Sequence, residues 1–232
     1  RQVFLTSLLG LMVCGLVVYI ANPITLGFTL LSIFGLIYYT PFKRVWWGGP
    51  FWNSWIVALL PLIGFLASNK NNLILFSSNN LSILVAVMLS VFFSYSIFVL
   101  LGYFKDISAD SETNYNTIPV VFGWQAGVLI SVAHLFLCII CSSVVLIYFN
   151  WKFFPGIFWI SGILVLVWAH WQMWTTKEES LAYKSIQSVV RGYMLLHIGE
   201  ALLIKPDLIC FGFCFYFIFE LILHIRPERT QV

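Results

Sequence analysis

Residues 124–149 form a run of 26 residues that contains no Asp, Glu, Lys or Arg. A stretch of roughly 20 apolar residues is long enough to cross the hydrocarbon core of a bilayer as a helix. Inside lipid every backbone N–H and C=O needs a partner, which restricts such a run to a helix or a closed barrel. Because the run lacks the polar alternation of barrel strands, it predicts a transmembrane helix.

Similar apolar runs recur along the chain, in which only 9% of the 232 residues are charged and 61% are hydrophobic. A soluble domain of this size carries far more charge. The composition therefore predicts an all-α, polytopic membrane protein with a single transmembrane domain over residues 1–232, and no basic run suggests a nucleic acid partner. The predicted spans are residues 3–21, 23–40, 51–67, 82–104, 124–149, 154–170, 191–204 and 207–224.

The seventh predicted span, residues 191–204, is short and contains Glu200. The seventh span is therefore a complete, tilted or re-entrant helix, or it is fused with the eighth span. The domain accordingly has seven or eight spans. Residues 177–191 follow the sixth span and mix charged with apolar side chains. They predict an amphipathic helix at the membrane interface, with a cap over a substrate as the alternative.

Basic residues are distributed unevenly between the two sides of this topology. If the loops alternate, nine Lys and Arg lie on one side and three on the other, and the richer side is predicted to be cytoplasmic. The cytoplasmic loops are then residues 41–50, 105–123 and 171–190. The richer side holds Arg1, Lys43, Arg44, Lys105, Lys177, Lys184, Arg191, Arg226 and Arg229. The other side holds Lys70, Lys152 and Lys205.

Acidic residues concentrate in the second of these loops, where Asp106, Asp110 and Glu112 account for three of the nine Asp and Glu. If the preceding helix continues, the spacing of four places the Asp106 and Asp110 carboxylates on one face. Two like charges repel at this spacing unless a cation joins them, and Mg²⁺ typically takes one or two carboxylates together with substrate phosphates. The pattern is typical of a diphosphate–Mg²⁺ site, although spacing alone is explained more simply by a solvated acidic loop.

The neighbouring loop, YYTPFKRVWWGGP, places Lys43 and Arg44 on the same predicted side. Basic groups and metal-bound carboxylates that face one cavity would hold a diphosphate from both sides. Lys105 is a further candidate for this role or an interfacial anchor. Tyr103, at the end of the preceding span, either faces the cavity or packs in the core.

Two motifs resemble the UbiA superfamily of intramembrane prenyltransferases. YYTPFKR, residues 38–44, is similar to the family's Tyr…Lys-Arg loop, and residues 106–123, from DISAD to TIPVVFG, are similar to its second aspartate motif. The resemblance implies a helical bundle around a central cavity that cytoplasmic loops cap. It also implies a reaction in which an allylic polyprenyl diphosphate loses pyrophosphate and the prenyl group alkylates an acceptor, plausibly an aromatic one in quinone or pigment synthesis.

The resemblance also implies roles for individual residues. Asp106 and Asp110 match the Mg²⁺ ligands of the second motif, and Lys43 and Arg44 match the basic pair near the diphosphate or an acidic acceptor. Mg²⁺ is the implied cofactor, and the implied partners are a polyprenyl diphosphate, an acceptor and membrane lipid. Two alternatives remain: a UbiA-type terpene cyclase that ionises the diphosphate without an acceptor, and a non-catalytic family member, scaffold or transporter.

The family's first motif, Asn-x-x-x-Asp-x-x-x-Asp, has no match in the sequence. The second motif follows the fourth predicted span, whereas it follows the sixth in the family. We therefore expect two further helices and the first motif upstream of Arg1.

Two remaining groups of residues are explained more simply by packing or pairing within their helices than by a catalytic or binding role. Cys138 and Cys141 have redox or metal spacing, but in an apolar helix we expect small packing residues. The pairs His197–Glu200 and Glu220–His224 are expected to neutralise themselves within their helices, with a proton relay or a ligand site as the alternative.

Overall fold

The computed structural model describes residues 2–68 and 78–225, and within these residues it contains ten α-helices and no strand. Arg1, Lys70, Arg226 and Arg229, which entered the predicted charge topology, lie outside the described residues. The all-α prediction is confirmed. The helices are α1 (Gln2–Ala21), α2 (Pro23–Ile37), α3 (Tyr39–Lys43), α4 (Gly48–Ser68), α5 (Ser78–Gly102), α6 (Ile107–Glu112), α7 (Ile118–Phe149), α8 (Phe153–Thr176), α9 (Ala182–Ile204) and α10 (Ile209–Ile225).

Five segments of the described residues are helical, long and apolar enough to cross a membrane: Gly48–Ser68, Asn80–Lys105, Ile118–Phe149, Phe153–Thr176 and Pro206–Ile225. Helices α1 and α2 add shorter apolar stretches. Large apolar side chains face outward on most of these helices, and Phe136 and Phe217 are 63% and 70% exposed. A soluble protein rarely exposes apolar surface this extensively, so the polytopic membrane class is confirmed.

Helix α9 differs from the prediction for this region. It has 23 residues and extends the predicted seventh span, residues 191–204, towards its N-terminus. A 3₁₀ turn, Pro206–Leu208, separates it from α10. Residues 182–191, predicted as part of an interfacial helix, form the first turns of α9. The reason is that polar side chains of these turns find partners on α8: Ser185 Oγ donates to Ala169 O at 2.7 Å.

Glycines allow α8 and α9 to approach closely. A Cβ on Gly162 would lie 2.5 Å from Leu196 N, and one on Gly199 would lie 2.7 Å from Trp159 N. Small residues let the backbones of membrane helices pack at short distance. This pair forms one side of the bundle.

Helix α5 occupies the centre of the bundle, where it packs against α4, α7 and α9. Its side chains Ile97, Leu100 and Leu101 are fully buried in the main apolar core, together with Val128 of α7 and Leu166 of α8. The end of α5 is therefore held firmly by its neighbours. That end leads directly into the acidic segment.

The chain between α5 and α7 is built from short pieces rather than one continuous helix. After α5 ends at Gly102, a 3₁₀ turn (Tyr103–Lys105) precedes α6. Helix α7 is interrupted at its sixth residue, Gly123, whose φ of +80° is a conformation that side-chain-bearing residues rarely adopt. The regular part of α7 therefore restarts at Trp124, which is the predicted first residue of that span.

Candidate functional site

Three segments of the chain meet at one end of the bundle. The Asn116 backbone N–H donates to the Arg44 carbonyl at 3.2 Å, which joins the α6–α7 connection to the α3–α4 connection. Ser108 of α6 contacts Glu179, which lies in the 3₁₀ turn Glu179–Leu181 between α8 and α9. The three loops that were predicted to share a side are thus adjacent in space.

Asp110 is almost completely buried, with 4% of its surface exposed, and it is paired. Lys43 Nζ lies 3.2 Å from one carboxylate oxygen, and Thr117 Oγ1 donates to the other at 3.3 Å. A buried carboxylate needs such partners because leaving its charge unpaired away from water is costly. The Lys43 ammonium also lies over the rings of Tyr115 and Tyr103, 4.9 and 5.5 Å from their centroids. It is held on several sides at once.

Asp106 lies at the first position of the turn that leads into α6. Its carbonyl accepts the Asp110 N–H at 2.7 Å, so the two residues are one helical turn apart. Helix α5 does not continue into this segment, because the 3₁₀ turn ends it, and α6 supplies the helical turn that brings the two acidic residues together. The Asp106 side chain lines a cavity of about 650 Å³ together with Lys43 and Lys105.

The pKa of the Asp106 carboxyl is raised above its ordinary value. Burial is the largest cause, and the nearby carboxylates of Asp110 and Glu179 act in the same direction. Lys105 and Lys43 partly offset these effects. The ionised carboxylate at this position is therefore disfavoured in the protein alone and would be stabilised by an added cation.

The lining of the cavity combines charged, polar and apolar residues. Tyr39, Asn53 and Gln187 add polar side chains, and most of the lining comes from α5, α9 and α10. The apolar lining comprises Phe98, Val99, Ile186, Val190, Phe219, Ile222 and Leu223. Such a lining suits a ligand with a charged head and a long apolar body.

Tyr103 is 4% exposed and lines the same cavity. Its hydroxyl is buried and makes no hydrogen bond with the part of the chain that the structure describes. The ring fits only because position 49 is glycine, since a Cβ there would collide with the Tyr103 hydroxyl. Tyr39, which also lines the cavity, is close enough to interact with this hydroxyl, so Tyr103 offers a hydroxyl without a fully formed hydrogen bond in the wall of the cavity.

Arg44 and Glu112 lie apart from the other predicted site residues. The Arg44 side chain is exposed, and its guanidinium carbon lies 5.4 Å from the Tyr115 ring centroid rather than in the lining of the cavity. Glu112, at the end of α6, is also exposed. The structure therefore brings together Lys43, Asp106 and Asp110, with Tyr103 and Lys105 beside them.

Glu179 is a functional candidate that reasoning from the sequence missed. Its carboxylate accepts the Ser108 backbone N–H at 2.7 Å and the Ser108 hydroxyl at 2.9 Å. The first N–H groups of a helix have no carbonyl partner within the helix. A carboxylate that accepts hydrogen bonds from them supplies this partner and interacts favourably with the helix dipole. The only sequence signal is an acid in a loop, KEESL, 71 positions away from the helix that it caps.

The carboxylates present fit a metal ion only if a ligand shares it. Within residues 2–68 and 78–225 no group of three His, Cys, Asp or Glu side chains is placed to hold a metal. Mg²⁺, however, is usually bound through one or two carboxylates and completes its shell with water and substrate phosphates. The repulsion that Asp106 experiences from Asp110 and Glu179 is what such a cation would relieve.

Comparison with protein families gives one match, which covers most of the chain and both motif loops. The model of the UbiA prenyltransferase family matches residues 1–190. Searches of curated proteins and of solved structures found no match. The chain therefore belongs to the UbiA prenyltransferase family.

Proposed function

We propose that the protein is a Mg²⁺-dependent membrane prenyltransferase that moves a polyprenyl group from an allylic diphosphate to an aromatic acceptor. The observation that carries this proposal is the cavity of about 650 Å³, whose lining combines Lys43, Lys105 and Asp106 with a mostly apolar surface from α5, α9 and α10. Family membership supports membrane prenyltransferase chemistry in general. The polarity of the cavity matches a diphosphate head and a prenyl tail.

Asp106 and Asp110 are the residues that would hold Mg²⁺. When bound, the ion supplies Lewis-acid stabilisation of the departing pyrophosphate. Asp110 also positions Lys43, which lines the cavity and whose ammonium lies 3.2 Å from the Asp110 carboxylate. Asp110 is therefore assigned both metal binding and the positioning of a cation.

Lys43 and Lys105 would bind the diphosphate and neutralise the negative charge that builds on it as the C–O bond breaks. Fixed cations aimed at developing charge are among the largest contributions to catalysis, because they need no reorganisation during the reaction. Tyr103 adds a hydroxyl that can donate to a diphosphate or acceptor oxygen. Arg44 lies outside the cavity lining and is assigned to the entrance, where it would attract the anionic substrate.

The prenyl carbon becomes positive as pyrophosphate leaves, and the cavity offers it aromatic rings rather than water. Tyr39, Phe98, Tyr103 and Phe219 all line the cavity. Aromatic faces stabilise cations, and a dry wall prevents capture of the cation by water. The acceptor ring would then attack the prenyl carbon and lose its ring proton to the departing pyrophosphate.

The test is the release of pyrophosphate by the full-length protein in lipid nanodiscs, given a series of polyprenyl diphosphates with Mg²⁺ or with EDTA. Asp106→Ala and Asp110→Ala are expected to reduce release by at least about a hundredfold, as removal of electrostatic groups at reacting centres does. Glu112→Ala is the matched control, because this exposed acid lies on the same helix away from the cavity.

Adding candidate aromatic acceptors separates the possible outcomes. Release that requires an acceptor supports transfer, whereas release with a cyclic hydrocarbon product and no acceptor would replace it with cyclisation. Full activity in both Asp variants would overturn the assigned roles.

A further inference from the structure

A second group of ionisable side chains lies deep in the bundle, between α5 and α9. The Ser94 hydroxyl is 2.8 Å from His197 Nε2, and His197 Nδ1 is 2.7 Å from a carboxylate oxygen of Glu200. The Ser90 hydroxyl donates to the other Glu200 oxygen at 2.6 Å. We call Ser90, Ser94, His197 and Glu200 the inner polar cluster. It confirms the predicted His197–Glu200 pair and adds two partners from another helix.

The inner polar cluster is remote from the diphosphate end. Ser94 precedes the end of α5 by eight residues, which is about 12 Å of helix. Ionisable residues at this depth are rare in membrane proteins and usually mark a functional path or site. The function proposed above makes no use of the cluster, so its presence requires a separate explanation.

One side of the cluster faces a cavity of about 290 Å³, which we call the inner cavity. Tyr193, His197 and Glu200 form its polar wall, and the remaining lining is apolar. The apolar residues are Val57, Leu60, Pro61, Val87, Val91, Ala201 and Ile204. A neighbouring cavity of about 340 Å³ shares Pro61, Val87 and Ile204 with it, so an apolar substituent has room to extend.

The hydrogen bonds of the cluster define what a ligand could find in this wall. Both His197 nitrogens are already engaged, and both Glu200 oxygens accept or share a proton within the cluster. The Tyr193 ring packs edge-on against His197, with the ring centroids 4.5 Å apart. Among the described residues, no hydrogen bond is found for the Tyr193 hydroxyl. The wall therefore offers one free hydroxyl donor, and its apolar surroundings contain no Lys or Arg.

We propose that the inner cavity binds a neutral, lipid-soluble molecule with a carbonyl or ether oxygen, and that the Tyr193 hydroxyl donates a hydrogen bond to this oxygen. An anionic ligand is disfavoured because the lining contains no Lys or Arg and includes Glu200. A pure hydrocarbon would leave the Tyr193 hydroxyl unpaired in an apolar site, which costs free energy. This site does not depend on the diphosphate chemistry.

The test uses an alkyl benzophenone, a lipid-soluble ketone whose excited carbonyl abstracts hydrogen from a nearby C–H bond and then joins the resulting carbon radical. The full-length protein in nanodiscs is illuminated with the probe, and the modified residues are mapped by mass spectrometry. We expect modification of Val57, Val87, Val91 and Ala201, which line the inner cavity. A long-chain ketone should protect these residues, and an alkane of equal length should not.

Tyr193→Phe removes only the hydroxyl and keeps the ring against His197. It is expected to reduce cross-linking in the inner cavity about fivefold, the effect of one lost hydrogen bond. Tyr183→Phe, on the same helix outside the lining, should leave cross-linking unchanged. Val57→Phe, which fills the cavity and leaves the hydroxyl in place, should also reduce it.

Three results would overturn the proposal. The first is uniform modification of the outward face of α10 and of the inner cavity, which indicates a probe dissolved in lipid. The second is equal protection by the alkane, which indicates a site for any hydrocarbon. The third is unchanged cross-linking in correctly folded Tyr193→Phe and Val57→Phe proteins.

Discussion

The ionised carboxylate of Asp106 is needed for the proposed function but destabilises the fold. Its raised pKa means that the folded state binds a proton more tightly than the unfolded state does. Between the ordinary and the raised pKa the folded state therefore holds more protons, and the free energy of unfolding falls as the pH rises through this window. Above the window the ionised carboxylate destabilises the fold.

We therefore expect Asp106→Asn to raise the unfolding temperature at neutral pH in EDTA while it abolishes pyrophosphate release. At a pH below the ordinary pKa of Asp the two proteins should unfold at the same temperature, because the wild-type carboxyl is then neutral in both states. Thermal unfolding in detergent, measured at both pH values, checks this. Excess Mg²⁺ should narrow the difference by stabilising the wild type.

Glu112→Gln is the control, because this acid is exposed at the far end of α6. It should change the unfolding temperature little at either pH. A lower unfolding temperature for Asp106→Asn at neutral pH would contradict the argument, because it would mean that the carboxylate stabilises the fold.

Single residues could be predicted from the sequence where their partners are close along the chain. His197 and Glu200 pair as expected, because three positions place them on the same helix face. Glu220 pairs with residues other than the one predicted. It accepts hydrogen bonds from Arg191 of α9 at 2.9 Å and from Tyr216, so the predicted pairing with His224 was wrong. An arginine is always charged and binds a carboxylate more strongly than a neutral histidine does, but it lies 29 positions away.

The short helix α6 is the element on which the proposed site depends, and Glu179 fixes it from outside. Because α6 has only six residues, little of its stability can come from helix formation itself. The hydrogen bonds from Ser108 to Glu179 tie its first turn to the α8–α9 connection. Glu179 is therefore a positioning residue for Asp106 and Asp110.

Glu179→Gln should shift the acid side of the pH–rate profile to lower pH. The amide oxygen can still accept from Ser108, but the substitution removes a negative charge that raises the Asp106 pKa. Glu179→Ala also removes the hydrogen bonds and should lower kcat/KM about five- to tenfold. The loss of a helix cap costs about 1 kcal/mol of helix stability, which would reduce the fraction of molecules with α6 in place by a similar factor. Rates of pyrophosphate release across a pH series measure both effects.

Glu178→Gln provides the matched control, since this exposed neighbour has the same charge and is not in contact with Ser108. An equal shift of the pH–rate profile in both variants would mean that the Asp106 pKa depends only on the overall charge of the loop. No shift in either would exclude the coupling between Glu179 and Asp106.

The bounds of a helix could be predicted from the sequence where the helix faces lipid. The apolar runs gave α1 and the regular part of α7 within one residue, because an apolar run ends where the chain leaves the membrane. Helix α9 was not predicted as one helix, because its polar residues Ser185 and Glu200 face α8 and α5 instead of lipid. Such helix-to-helix contacts cannot be recognised from hydropathy.

At the scale of the whole molecule, the contacts of the proposed site collect at one end of the bundle. The Lys43–Asp110 pair and the Ser108–Glu179 contact both lie there, although each joins segments about 70 positions apart in the chain. The opposite end holds the α7–α8 and α9–α10 connections, which Lys152 joins by donating to the Leu203 carbonyl at 3.1 Å. The charge bias itself stays a prediction, because Arg1, Lys70, Arg226 and Arg229 lie outside the described residues.

We predict that the end with the proposed site faces the cytoplasm. In a variant with all five cysteines replaced by alanine, Thr113→Cys and Ser180→Cys place single thiols at this end, and Asp207→Cys places one at the other. All three positions are exposed. A membrane-impermeant maleimide added to intact cells should label Asp207→Cys alone, because the positive-inside rule puts the Lys- and Arg-rich loops inside.

Inverted vesicles provide the reverse measurement, in which Thr113→Cys and Ser180→Cys should react and Asp207→Cys should not. Labelling of Thr113→Cys and Ser180→Cys from opposite sides would contradict the hairpin that α7 and α8 form. Labelling of both from outside the cell would invert the orientation and leave the bundle unchanged. In that case the diphosphate would have to reach the site from the outer face, and cytoplasmic Mg²⁺ and substrate could not supply the proposed reaction.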